Sequence, residues 1–243
     1  MALTVKIMFL YYMDVSRLDV DHARGLVSPD RVTKSDKYLK LNDKKLSLGA
    51  EILLKHALSK IGIHDPLFSV EKHGKPFLSN YPHIHFNISH SMDYVVCAVS
   101  DSPVGVDIEH IQGMDDDVAK HYFSGSEYEY ILKRNNKEAF FELWVLKESY
   151  MKMTGLGFHL ALDEFAIEID DEIRVRDLKD RGSNGFFSDC KLGCWTVVGG
   201  EYMLGVCSKT KIKKPVLQTL ENIEVSNPHY GTIIRNESRY RGV

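Results

Sequence analysis

The chain has 243 residues, with 31 basic against 34 acidic side chains and a formal net charge of -3. That length supports one large domain or two lobes with real cores, so a fold held by covalent staples is not required. The charge balance argues against a general polyanion surface, nucleic acid included, while leaving room for a local phosphate pocket.

Cys97 and Cys207, two of the four cysteines, sit inside apolar runs as small hydrophobes, which fits a reducing cytoplasm. Met1 to Tyr12 is apolar but short, alternates like a strand and lacks a small-residue cleavage site. No apolar run is long enough to span a bilayer, so no membrane is expected.

In chain order, residues 3–12 read as a strand, and Ser28-Pro29-Asp30 supplies a cap and first turn for a helix near Arg31. From there Arg31, Lys34, Lys37 and Lys40 recur every third residue as a basic stripe, followed by Lys44 and Lys45; alone, this is an ordinary solvated face. Leu46 to Leu58 is helical and closes at Gly62. Strands follow at 68–72 and 84–89, joined through the turn His73-Gly74-Lys75-Pro76, and then at 94–99 and 104–109.

The second half repeats the order. Residues 118–123 begin a helical region, Ser126-Glu127 offers a further cap, and Glu138 to Met153 is a long helix ended by Gly155 and Gly157. Strands are expected at 164–169, 172–176, 194–198 and 202–207, with a loop at 179–189 and a polar tail from Glu221. The expected class is therefore α+β, with lobes at 1–103 and 104–220 and a tail at 221–243.

Gly105-Val106-Asp107-Ile108-Glu109 alternates with strand period, so Asp107 and Glu109 share one face. Glu148 and Lys152 lie four apart on the long helix and also share a face. Three carboxylates near one lysine suit a hard cation that completes its shell with phosphate oxygens. Paired surface acids and an exposed i,i+4 pair would give the same pattern. Asn87-Ile88-Ser89-His90-Ser91 ends a strand with polar side chains, and a histidine there can donate to a phosphate or move a proton. His83 and His85 lack matching ligands at zinc spacing, and Gly155-Leu156-Gly157 follows a helix, so no dinucleotide fingerprint applies.

Taken together, Gly74-Lys75-Pro76, Phe86 to Ser91, Gly105 to Glu109 and Trp144 to Lys152 closely resemble the ordered blocks of surfactin-type 4'-phosphopantetheinyl transferases. The resemblance runs from about residue 3 to 208, by the positions of these blocks. It implies two similar lobes related by a pseudo-twofold, coenzyme A in the cleft, and a monomer. It also implies transfer of phosphopantetheine to a serine of an apo carrier protein, with 3',5'-ADP released. Asp107, Glu109 and Glu148 would hold Mg²⁺, and Lys152 would meet the phosphates. His90, Ser89 and Lys75 would contact coenzyme A, and Arg31 and Lys34 its 3'-phosphate. Leu46 stands where relatives often carry an arginine, so Lys44, Lys45 and Ser47 share the candidacy for the nucleotide.

The implied catalytic residues are Glu148, Lys152 and His90. Nonribosomal peptide and polyketide carriers of antibiotic-type pathways are favoured over fatty acid carriers. The expected docking face is the loop Ile111 to Ala119 with the helix Phe123 to Leu132, where Met114 and Tyr128 would be anchors. A coenzyme A binding protein without transferase activity and a Mg²⁺-dependent phosphohydrolase remain the rival readings; product analysis separates the three.

Overall fold

The computed structural model describes residues 7–113, 116–179 and 189–223. Its first strand, β1 (Met8–Asp14), is followed by the short helix α1 (Val20–Arg24), α2 (Pro29–Asp36) and the long α3 (Leu41–Ser59). Ser28 caps α2 as its sequence requires, accepting from the Arg31 N–H. A small hairpin, β2 (Phe68–Val70) and β3 (Pro76–Leu78), precedes β4 (His85–Ser91) and β5 (Tyr94–Ser100). The turn at 73–76 therefore joins β2 to β3, whereas the period of the sequence had joined it to the strand at 84.

The second half runs β6 (Val104–His110), α4 (Asp116–Tyr122), α5 (Gly125–Arg134), α6 (Lys137–Thr154), β7 (Phe165–Ile169), β8 (Ile173–Asp177), β9 (Lys191–Val197) and β10 (Tyr202–Ser208). Gly155, in the left-handed conformation, ends α6. The cap of α5 is Ser124 and not Ser126, because Glu127 at the third helical position returns the bond and completes a capping box. Residues 3–6, 180–188 and 224–243, on which parts of the expected first strand, loop and tail fall, lie outside the described residues.

The repeat of element order is a repeat of topology. β5 pairs antiparallel with β1 and β4, and β10 pairs antiparallel with β6 and β9. Each three-strand unit carries one long helix, α3 or α6, so two α+β lobes of the same design make up the molecule. Alternation along the strands sorts the faces. Val95, Cys97 and Val99 pack with α3, whereas Val96 and Ala98 join Val104, Val106, Ile108, Leu204 and Val206 in a third core between the two sheets. The order is thus helix, sheet, sheet, helix. A last strand, β11 (Val216–Gln218), leaves the second lobe and pairs in parallel with Tyr11 to Met13 of β1. These three residues fall within 104–220 in the division read from the sequence, yet they extend the first lobe's sheet.

Two features set the position of α6. A Cβ on Gly105 would stand 2.0 Å from the Ser149 carbonyl oxygen, and one on Gly205 2.6 Å from that of Val145, so the helix backbone lies directly on β6 and β10. On the far side, fully buried Lys147 donates to both Glu127 oxygens at 2.8 Å and to the Phe165 carbonyl at 2.7 Å. Glu127 is completed by the N–H groups of Ser124 and Ile167, each at 2.8 Å. The pair is desolvated but fully hydrogen-bonded, the condition under which a buried ion pair holds.

Lys147→Ala strands the Glu127 carboxylate and is expected to cost about 3–5 kcal/mol in urea unfolding. The double variant Lys147→Met, Glu127→Gln should recover much of that loss, and additive losses in the double-mutant cycle would refute a coupled pair.

Candidate active site

Asp107 projects from β6 toward α6 and is 3 % exposed. Its Oδ1 accepts from Lys152 Nζ at 2.5 Å and from Ser89 Oγ at 2.7 Å, and Lys152 Nζ also reaches Ser89 Oγ at 3.0 Å. Asp107 Oδ2 is buried and has no hydrogen-bond partner among the described residues. One turn of strand on, Glu109 accepts from Ser91 Oγ at 2.8 Å.

The neighbouring charges are felt. Burial first, and then the charge of Asp107 with a further contribution from Glu148, pushes the Glu109 carboxyl up to about 7. Glu148 is raised by burial and by Asp107, against the pull of Lys152. The three predicted carboxylates are therefore near enough for the charge of Asp107 to raise the pKa of the other two. They do not form a closed cage: among the described residues no group of three His, Cys, Asp or Glu side chains stands ready as a metal cluster. Asp107 instead holds the Lys152 ammonium.

β4 supplies the other wall. Asn87, Ser89 and Ser91 alternate on one face of it, Asn87 Oδ1 accepting the Val106 N–H at 2.8 Å and Ser91 Oγ the His110 N–H at 3.1 Å. They serve the outer edge of β6 while Ser89 and Ser91 brace its acids. Sequence reasoning took this stretch as a polar strand end, and its strand period puts all three on one face; that this face meets β6 was not legible locally. His90 points the opposite way, outward. Burial against the site and the nearby Lys152 charge lower its pKa, and it also senses Asp107 and Asp43 of α3.

The other predicted contact residues make different contacts. Lys75 Nζ donates to the carbonyls of Lys152 at 2.7 Å, Val104 at 3.1 Å and Met153 at 3.2 Å, which ties the turn before β3 to the end of α6. Desolvation there lowers its pKa to about 8. Arg31 Nε is held by Glu51 at 3.0 Å, Lys34 is exposed on α2, and Ser47 is buried in α3 with an unpartnered Oγ. None of these three is hydrogen-bonded to the acidic group.

Residues 15–102 match the family model described as 4'-phosphopantetheinyl transferase, N-terminal, and residues 103–207 that of the 4'-phosphopantetheinyl transferase superfamily. A similar curated protein is the 4'-phosphopantetheinyl transferase Sfp of Bacillus subtilis, 31% identical over 206 residues, covering 81% of this chain and 89% of that one. The chain belongs to the 4'-phosphopantetheinyl transferase superfamily, in its surfactin-type branch. A second Bacillus subtilis 4'-phosphopantetheinyl transferase is 34% identical over 68% of this chain and 77% of its own. The transferase gsp of Aneurinibacillus migulanus is 38% identical over 58% and 62%. The boundary between the two matched regions falls at the start of β6, between the lobes. No described helix of this phosphopantetheinyl transferase is long and apolar enough to cross a membrane.

Because the folded-state pKa of Glu109 lies above its ordinary value, its contribution to stability is full below pH 4.5 and is lost as the pH rises through about 7. Glu109→Gln keeps an acceptor for Ser91 and removes the charge. It should stabilise the protein by up to about 2 kcal/mol at pH 8, allowing for solvent screening, and by little at pH 5. Thermal melts at the two pH values check this; equal shifts at both would refute it.

Proposed function

We propose that this protein transfers 4'-phosphopantetheine from coenzyme A to a serine of an apo carrier protein with the aid of Mg²⁺, releasing 3',5'-ADP. The observation that carries the reading is Asp107, a buried acid with one oxygen unpartnered, set beside two further acids and a lysine on the opposing helix.

An unpartnered buried carboxylate oxygen is costly unless something binds it, and its neighbours are oxygen donors of the hard kind that Mg²⁺ takes. Asp107, Glu109 and Glu148 would hold that ion, which characteristically takes only a few carboxylates. When bound it supplies Lewis-acid stabilisation of charge on the pyrophosphate oxygens.

The carrier's serine hydroxyl attacks the phosphorus that bears the pantetheine. A new P–O bond forms, the bond to the bridging oxygen breaks, and the nucleotide leaves as 3',5'-ADP. The serine proton goes to Glu148, whose pKa is raised by burial and by Asp107, the direction that makes a carboxylate a better proton acceptor. Lys152 offers its remaining donors to the phosphate oxygens, with Ser89 and Asp107 fixing its position. His90, kept neutral by its lowered pKa, donates through a ring N–H from the outer side of β4. Arg31, steadied by Glu51, and Lys34 one turn on would receive the 3'-phosphate, with Ser47 on the adjoining helix as a further polar contact. Lys75 supports this arrangement by holding the end of α6 from which Lys152 projects.

The site chemistry alone does not choose among carriers. Peptidyl and polyketide carriers of secondary metabolism are the proposed partners, met by a monomer in the cytoplasm.

The test is intact mass of a panel of apo carriers incubated with the protein, coenzyme A and Mg²⁺; the expected result is a phosphopantetheine mass gain on at least one. Cleavage of coenzyme A without a carrier would establish the hydrolase, and binding without either product the non-enzymatic reading. Asp107→Asn should lose at least about a hundredfold in turnover with an unchanged circular dichroism spectrum. Chelation of divalent ions should stop transfer and added Mg²⁺ restore it; transfer that persists in chelator would remove the metal role.

A further inference from the structure

Beside the acidic site the surface turns apolar. Leu39, between α2 and α3, is 99% exposed, Leu41 at the first position of α3 is 60% exposed, and Met92 at the β4–β5 turn is 52% exposed. A single exposed leucine has no particular meaning, but three large apolar side chains from two separate elements at one place do. Asn42 Nδ2 donates to the Met92 carbonyl at 2.8 Å and so holds the start of α3 against the turn. Leu39 is three residues from Asn42, a chain length of at most about 10 Å. The turn adjoins the site directly: Ser91, the residue before Met92, binds Glu109, and His90 senses both Asp43 of α3 and Lys152.

This lip is basic. Between residues 30 and 45 the chain carries six basic and three acidic side chains, on a molecule whose net charge is -3. Of the acids, Asp36 is taken by Arg24. Lys37 and Lys40, which flank Leu39, are exposed and make no ion pair among the described residues. Along the chain leaving β6, α4 begins with Asp116, which pairs with Lys120 and accepts from Tyr128, and Asp117.

Resting on the transferase reading above, we infer that Leu39, Leu41 and Met92, ringed by Lys37 and Lys40, form the docking surface for the acceptor protein. The occupant is a protein face with an apolar centre and an acidic border next to the modified serine. The three apolar side chains would supply the desolvated centre of the contact and the two lysines a steering rim. A phosphate-rich ligand has no use for the apolar part. The face at 111–132 expected from the sequence, whose anchor Met114 lies outside the described residues, is the other location that the experiment separates from this one.

The experiment measures initial rates of phosphopantetheine transfer to an apo peptidyl carrier domain by intact mass, together with coenzyme A binding by calorimetry. Leu39→Glu and Leu41→Glu, at exposed positions, should each raise KM for the carrier by at least about tenfold. In both, kcat at saturating carrier and coenzyme A affinity should stay unchanged. The neutral pair Leu39→Ser, Met92→Asn, in which asparagine suits the positive φ of 47° at residue 92, should also raise it, separating lost apolar contact from added charge. Lys37→Glu with Lys40→Glu should raise it further at low salt than at high salt. An unchanged carrier KM in these variants overturns the surface while the transferase reading stands. A rise confined to the KM for coenzyme A also overturns it, giving the lip to the cofactor. Absence of transfer by the wild-type protein overturns the transferase reading and the surface with it.

Discussion

The active site depends on how closely α6 lies on the second sheet. Gly105 and Gly205 leave no side chain between helix and strands, so the backbone of α6 rests on β6 and β10. At that separation a lysine on the helix reaches a carboxylate on the strand at 2.5 Å. A methyl group at Gly105 would collide with the Ser149 carbonyl and push the helix off. The hold from the other side comes from Lys147, buried against Glu127 and the Phe165 carbonyl. Neighbouring positions on α6 thus divide the work, Lys147 anchoring the helix while Glu148 faces the site.

The site so formed is electrostatically unfinished. Asp107, Glu109 and Glu148 repel one another in partial burial, and one ammonium and two hydroxyls offset only part of the cost. Glu109 responds by holding its proton to about pH 7, and Asp107 keeps an oxygen without a partner. A fold selected for stability alone would not retain such a group. Strongly perturbed acids gathered at one place are a signature of functional sites, and the proposed cation with its phosphate oxygens would offset their charge.

The duplicated topology explains how the two lobes come to face each other. Each lobe packs one face of its sheet on a long helix and gives the other face to the shared core. The copies then contribute different chemistry to the seam: hydroxyls and an amide from the first, and acids with a lysine from the second. β11 breaks the symmetry. By pairing with β1 after the second lobe is complete, it ties the two halves together from outside.

Much of this was legible in the chain. Periods of two and 3.6 located the long helices and the paired strands, and they correctly put Asp107 with Glu109 and Glu148 with Lys152, because side-chain direction follows from local geometry alone. The order of blocks identified the family. Local patterns could not reveal the partners across the seam. Asn87, Ser89 and Ser91 read as a polar strand end; only packing showed them bracing β6, Lys147 fully buried and Lys75 donating to the end of α6. Val216–Gln218 carried too short a pattern to mark a strand, since its pairing partner is nearly the whole chain away. Sequence determined which residues share a face, a matter of backbone period. Tertiary structure decided which faces meet, because that rests on two missing side chains and one buried ion pair, whose effects appear only when distant segments are brought together.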